Sequence, residues 1–356
     1  MKQKRIVIIG AGIYGCSIYL NLNKIFDCII LEKNNEILNG ATSNNLNRIH
    51  FGYHYPRDQK TVDLCLQGYK TFKKLYSESI IDNFKNYYSI AKDSYSKTNT
   101  KNYLNFLKKN KLLFNKKKLS FANNDLLDIF KVNEPIYDII ALKKFIKKKI
   151  NKKNVFFNQK VKKIKKKKKI YEILTNKNNI YKADIIIDTT HYATNNILAY
   201  KNKIKSNYQL TCIYEIKLKS VKKLGFAVMD GPYFSILPLG RKKDVHLLYD
   251  VEHSILKQKN SFQLPANFLN FKTLQKTINK NKIKIKNKVK KFLPDLKFSY
   301  TGKSNLAIRV FLPKWKKNDS RVPQIIVPKK NYYQILSTKV DHAVTISDKL
   351  VKMLSN

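Results

Sequence analysis

The chain has 356 residues, of which 43% are hydrophobic and 27% charged, with a net charge of +48. That is enough apolar material for the cores of about two domains, and it excludes a disordered basic tail. Arginine occurs only at Arg5, Arg48, Arg57, Arg241, Arg309 and Arg321, so the surplus is almost entirely lysine. A reader of nucleic acid is expected to carry the planar guanidinium forks that grip phosphates and guanines, so no nucleic-acid partner is expected. The surplus reads as solvated surface; a polyanion or a peripheral membrane contact is the other reading.

Lys2, Lys4 and Arg5 precede an apolar run, Ile6 to Leu20, that has the outline of a secretory leader. Gly10, Gly12 and Gly15 break that run at the spacing of a strand, a tight turn and a helix. Arg5–Ile9 is therefore expected to be a buried strand, Ile13–Lys24 a helix and Cys28–Leu31 a second buried strand. This βαβ opening implies a parallel sheet. In Gly10-Ala11-Gly12-Ile13-Tyr14-Gly15, the first glycine permits the turn, the second lets a pyrophosphate approach the backbone, and the third lets helix and strand pack closely. Glu32, followed by Lys33, ends the second strand, where a carboxylate accepts hydrogen bonds from the adenosine ribose. Cys16, Cys28, Cys65 and Cys212 form no CxxC pair and read as buried thiols of a reducing, cytoplasmic compartment. No run of 18 apolar residues predicts a membrane span.

Asn39 to Pro56 is a long irregular stretch, and Thr61–Tyr76 has helical apolar spacing. Residues 81–132 are mixed, with a strand near Tyr87–Ala91 and a helix near Tyr103–Lys109. Asp138 reads as the N-cap of a helix running to Ile150. Val155–Ile164 and Ile170–Thr175 alternate as strands around the run Lys165–Lys169, read as a solvated turn, and Ala183–Thr190 reads as a further buried strand. Tyr208–Leu218 and Val245–Tyr249 point to a largely antiparallel sheet, and Phe271–Phe292 to a lysine-rich helix. Leu306–Leu312, Gln324–Val327 and Tyr333–Leu336 are expected to be short strands before a helix from Asp341 to Leu354. The change of sheet style and the return to buried strands predict interleaved domains. Residues 1–80, 133–206 and 304–356 would form one, and 81–132 with 207–303 the other.

The stretch from Gly40 to Tyr55, GATSNNLNRIHFGYHY, resembles the second flavin loop of the D-amino acid oxidase-like (DAO) FAD-dependent oxidoreductases. Its IHxGxxY portion is similar to glycerol-3-phosphate dehydrogenases and 2-hydroxyglutarate oxidases within that family. Further landmarks follow in family order: Asn154 to Phe157 with Val161, Ala183 to Thr190, Leu306 to Arg309, Asp319 to Arg321, and Ile335 to Lys339. The resemblance implies an α/β fold: a Rossmann-like FAD-binding domain and a smaller α+β substrate domain with an antiparallel sheet. It also implies that Thr42, Ser43, Asn47, Arg48, Val161, Thr190, Ser337, Thr338 and Lys339 join the glycine loop around FAD. Two positions depart from the family pattern: His191 stands where a glycine is usual, and Ser337-Thr338-Lys339 replaces paired glycines.

In the family a hydride leaves a carbon bearing nitrogen or oxygen for flavin N5. Arg309 matches the position that holds a substrate carboxylate, which implies a small anionic substrate; a structural ion pair is the alternative. His50 or His54 could take a hydroxyl proton, or be satisfied loop histidines. Lys339 could stabilise the reduced flavin or be a surface lysine, and Arg48 could neutralise the pyrophosphate. No metal-ligand spacing is legible. The expected function is FAD-dependent oxidation of a small amine, amino acid or 2-hydroxy acid, with oxygen or a carrier as electron acceptor. The alternatives are a 2-hydroxy-acid or polyol-phosphate dehydrogenase feeding a membrane carrier, and a redox-inactive module binding RNA or an anionic surface.

Overall fold

A computed structural model describes residues 3–198, 202–219, 221–270, 272–316 and 318–355. Ile6, Val7 and Ile8 are fully buried, as an isoleucine- and valine-rich strand must be when both of its faces are covered. Arg5–Ile9 pairs in parallel with Asp27–Leu31 on one side and Ile185–Asp188 on the other. The six-stranded sheet continues outward to Val155–Phe156 beyond Asp27–Leu31, and through Tyr332–Leu336 to an antiparallel edge, Gln324–Lys329. Three separate stretches of chain thus build one sheet.

Helices Ile13–Leu22, Gln59–Tyr76 and His342–Ser355 cover one face, where Ile18, Leu22, Phe72, Ile346 and Leu350 share a core with Ile6 and Ile8. The opposite face meets a three-stranded sheet, Val161–Lys167, Ile170–Thr175 and Ile180–Ala183, whose Tyr171 and Ile173 pack on Val7 and Ile9. Helix Ile139–Lys149 starts as expected: Asp138 accepts the Ala141 N–H at 2.8 Å.

A second, nine-stranded sheet is largely antiparallel. Toward one end of it the long strand Ser206–Leu218 pairs with Phe298–Phe311 along one edge and with Ile255–Ser261 and Val245–Asp250 along the other. Phe234–Pro238, Leu224–Met229, Lys85–Ala91, Leu126–Val132 and Phe114–Lys117 complete it. Helix Gln275–Phe292 lays Ile278, Ile285, Val289 and Phe292 on this sheet and leaves most of its lysines in water.

Several expected boundaries are corrected. The first helix ends at Leu22, two residues before Lys24. Val155–Ile164 splits: Val155–Phe156 completes the parallel sheet, and the chain turns before Val161. Lys165 to Lys167 lie in the strand Val161–Lys167 rather than in a turn, because their side chains reach solvent at a sheet with an open face. Ala183–Thr190 is two strands, Ile180–Ala183 and Ile185–Asp188, in different sheets. Phe271, the expected start of the lysine-rich helix, lies outside the described residues. The expected boundary at 303/304 falls within the single strand Phe298–Phe311, so residues 304–311 belong to the nine-stranded sheet. Among the described residues no helix is long and apolar enough to cross a membrane.

Candidate active site

Both sheets line one cavity of about 1160 Å³, larger than a typical small-ligand pocket. Its floor is the glycine loop. Gly10 has φ +101°, which a side chain would strain, and a Cβ on Gly15 would stand 1.9 Å from the Gly10 carbonyl oxygen. A Cβ on Gly12 would meet only Thr42 Oγ1, at 3.9 Å, so this glycine opens onto space. The N-cap residue Gly12 has no side chain, and Thr42 Oγ1 accepts the Ile13 N–H at 3.3 Å, leaving the other first-turn amides and the positive end of the dipole at the cavity. The Glu32 carboxylate accepts the Ala11 N–H at 2.7 Å and the Asn34 N–H at 2.8 Å, fixing the loop while each oxygen keeps a free lone pair.

The cavity wall contains Gly10, Gly12, Ile13, Tyr14, Glu32, Lys33, Thr42, Arg48, His50, His54, Val161, Thr190, Arg309, Ser337, Thr338 and Lys339, brought from five parts of the chain. Four expected residues do not line it. Ala11 is fully buried and contributes its amide to Glu32, and Gly15 packs against Gly10. Ser43 turns its hydroxyl to the Leu38 carbonyl. Asn47, at φ +56° and buried, offers its carbonyl to the Tyr137 N–H at 2.8 Å.

The two departures from the family pattern have structural consequences. His191 sits at φ +57°, a conformation glycine adopts freely. Its Nε2 donates to the Ile308 carbonyl at 3.1 Å, so Nδ1 accepts from the Ser337 hydroxyl at 2.8 Å. The loop lacking paired glycines is held by side chains: the Tyr14 hydroxyl donates to the Lys339 carbonyl at 2.7 Å and accepts from the Thr338 amide at 3.3 Å. The Thr338 hydroxyl donates to the Arg321 carbonyl at 2.8 Å.

Behind the cavity wall lies a buried charged network. The Arg48 guanidinium is 3.4 Å from Glu134, donates to the Tyr88 hydroxyl at 2.6 Å, and reaches His54 Nδ1 at 3.2 Å. Tyr88 in turn donates to Glu134. Arg48 is therefore charge-matched inside the protein while also lining the cavity. Guanidinium can only donate, so His54 Nδ1 accepts and the neutral ring carries its proton on Nε2. His54 Nδ1 is thereby occupied, and the residue lines the cavity. Burial, reinforced by nearby cations, holds both His50 and His54 well below the usual histidine range, so both are neutral at pH 7.

His50 stands between Asp341 and Lys339. Its Nδ1 is 3.4 Å from Asp341 Oδ1, and its Nε2 is 3.2 Å from Lys339 Nζ. Arg309 extends from strand Phe298–Phe311 toward the Tyr249 hydroxyl, its guanidinium 5.4 Å from that ring centre. Arg321 is paired with Asp319.

Residues 5–114 match the DAO family, described as FAD dependent oxidoreductase. That stretch carries the glycine loop, Glu32 and the loop Gly40 to Tyr55, and over it the chain is similar to a family of FAD-dependent enzymes. Among solved structures, glycine oxidase from Geobacillus kaustophilus superposes with a TM-score of 0.73 at 11% identity, covering 98% of this chain and 94% of its own. L-proline dehydrogenase from P. horikoshii gives 0.71 at 14% identity, covering 99% and 93%. Iminodiacetate oxidase from Chelativorans sp. BNC1 gives 0.71 at 13%, covering 97% and 93%. At such identities the likeness is one of fold. The FAD-dependent monooxygenase kojA of Aspergillus flavus is 35% identical over 80 residues, which is 22% of this chain and 19% of that protein.

The residues present fit FAD. Gly12 leaves free the space that a Cβ would fill, the helix N-terminus offers donors to the pyrophosphate, and Glu32 keeps lone pairs for ribose hydroxyls. Sequence reasoning missed Glu134, Tyr88, Tyr249 and the pairing role of Asp341. Each is identified by a partner at least 40 positions away, and no local pattern marks it.

Proposed function

We propose that this chain oxidises a small substrate carrying a carboxylate or another anionic group, an amine, amino acid or 2-hydroxy acid, using bound FAD. The observation that supports this most is Arg309. It stands half-buried in the wall of the cavity that also holds the glycine loop. The one hydrogen bond of its side chain among the described residues is to the Tyr249 hydroxyl, and it forms no salt bridge among them. A guanidinium fork left without a carboxylate in a wall otherwise rich in matched pairs is suited to a bidentate anion. Solved structures that share this fold include oxidases of glycine and iminodiacetate and a dehydrogenase of L-proline, which favours an amino or imino acid.

In this reading the six-stranded sheet and its helices hold the cofactor, and the nine-stranded sheet presents the substrate. Bound FAD supplies the acceptor for the substrate's hydride. The backbone of Arg309 is held by its pairing with Gln209 near one end of a long ladder, which fixes where the guanidinium starts from and helps place the carbon next to a held carboxylate. His54 Nε2–H adds a neutral donor at the same wall.

Arg309→Lys keeps the charge and loses the fork. Loss of a charge-assisted pair costs about 1.5–3 kcal/mol, or roughly 10- to 150-fold in substrate capture. Stopped-flow reduction of the flavin by a substrate found in a screen of amino, imino and hydroxy acids should show this loss for Arg309→Lys and Arg309→Ala, with an unchanged flavin spectrum. Reduction of both variants at the wild-type rate at every substrate concentration would make Arg309 structural.

A further inference from the structure

Lys339 is not where a surface lysine would be. It is half-buried, faces the cavity, and lies 5.0 Å above the centre of the Tyr55 ring, which is itself 2% exposed. Its ammonium nitrogen is 3.2 Å from His50 Nε2. On the far side of the imidazole, Asp341 is fully buried, and Oδ1 faces both the His50 ring Nδ1 and the His50 backbone N–H at 3.4 Å. Lysine, histidine and aspartate thus stand in line from the cavity inward, and the inward end has no contact with water.

We propose that Lys339 takes the substrate's proton, and that His50 and Asp341 position it and carry that proton onward. The proposal rests on the oxidase reading above and names the base that this reading leaves open. As the hydride leaves the substrate carbon for the bound flavin, the N–H or O–H bond beside that carbon breaks. Its electron pair stays to form C=N or C=O, and the proton forms a new N–H bond on neutral Lys339. Lys339 then gives a proton to His50 Nε2 while His50 Nδ1–H passes to the Asp341 carboxylate. One proton enters the line and one ends on Asp341, and the imidazole is neutral before and after.

The surroundings match these roles. Burial, then Arg321 and Arg309, push the Lys339 ammonium down to about 7, with Asp319 and Cys65 opposing. Burial pushes the Asp341 carboxyl up to about 7, against Lys339 and the His50 amide. Burial thus disfavours the charged form at both ends of the line. From the helix side Cys65 and His342 also face this cluster, both buried, the thiol 3.7 Å from His342 Nε2; burial holds His342 neutral. Glu134 and the neutral His54 complete the charged and titratable surroundings.

A general base is worth about 10²- to 10⁴-fold. Lys339→Met, with the flavin spectrum retained, should lose that much in the rate of flavin reduction. Lys339→Arg should lose as much, because guanidinium does not release its proton. Asp341→Asn and His50→Gln should lose about tenfold or more by the same principle, and the wild-type rate should rise through a limb near pH 7. Arg321→Gln removes a cation that depresses Lys339, so its limb should move to higher pH and its rate recover in alkali. A second measurement needs no substrate and no cofactor: trace acylation of the wild-type chain across pH, read by mass spectrometry at Lys339. The expected midpoint is near 7, against about 10.4 for an ordinary lysine. A midpoint at the ordinary value, or wild-type reduction rates in Lys339→Met, would overturn the proposal. If no screened substrate reduces the wild-type flavin, the oxidase reading fails, while the acylation midpoint still decides whether Lys339 is poised.

Discussion

Protein carrying Gly12→Leu should fold, remain soluble and purify without cofactor. A Cβ at this position meets nothing of the protein itself closer than 3.9 Å, so the backbone there has no reason to resist a side chain. The same side chain occupies the approach of the pyrophosphate to the helix N-terminus, where backbone donors and the dipole supply the binding energy. Circular dichroism and thermal unfolding of the apoprotein should be near wild type, and titration with FAD should give no spectral change. Gly15→Ala is the contrasting case. Its methyl group would lie 1.9 Å from the Gly10 oxygen, a clash between two backbone segments that no rotamer relieves, so both fold and cofactor binding should suffer. FAD binding retained by Gly12→Leu would remove the glycine loop from the site.

Glu134→Ala should be the most destabilising of the single substitutions considered. The carboxylate is 2% exposed and accepts from the Phe51 N–H at 2.9 Å as well as from Tyr88, and it lies 3.4 Å from Arg48. Burial raises its proton affinity and Arg48 opposes that shift, so each charge depends on the other being present. Removing one partner of such a pair leaves a guanidinium uncompensated in a dry site, at a cost of about 3–5 kcal/mol. Urea unfolding should show a midpoint lowered accordingly with little change in slope. The double variant Glu134→Gln with Arg48→Met should recover part of the loss, because it removes the orphaned charge. A wild-type midpoint for Glu134→Ala would mean that the pair is solvated in solution.

The cofactor half of the molecule was readable because its signals are local. Strand, glycine turn, helix and Glu32 fall within the first 32 residues, and the cap at Asp138 and the final helix also appear in short windows. The half built on the nine-stranded sheet was less legible. Strand Phe298–Phe311 begins in a polar stretch, Ser299 to Asn305, that alone would not predict a strand; it is extended because the ladder to Ser206–Leu218 continues there. Arg48, His50 and His54 could be picked out as residues, but their roles could not. Arg48 depends on Glu134, and His50 on Asp341, 291 positions away. The left-handed backbone at His191 shows why relatives place glycine there, and the hydrogen bonds to Ile308 and Ser337 show what a side chain does in its place.

Purified protein examined by visible absorption, before and after acid precipitation, tests the flavin assignment most directly. All four cysteines are buried and free, and none lies in the C-terminal flavin segment, so the cofactor is expected to be noncovalent. The expected result is a yellow protein whose colour leaves with the supernatant and is FAD by mass. Colourless protein that FAD cannot reconstitute, yet that binds NAD, would contradict the account.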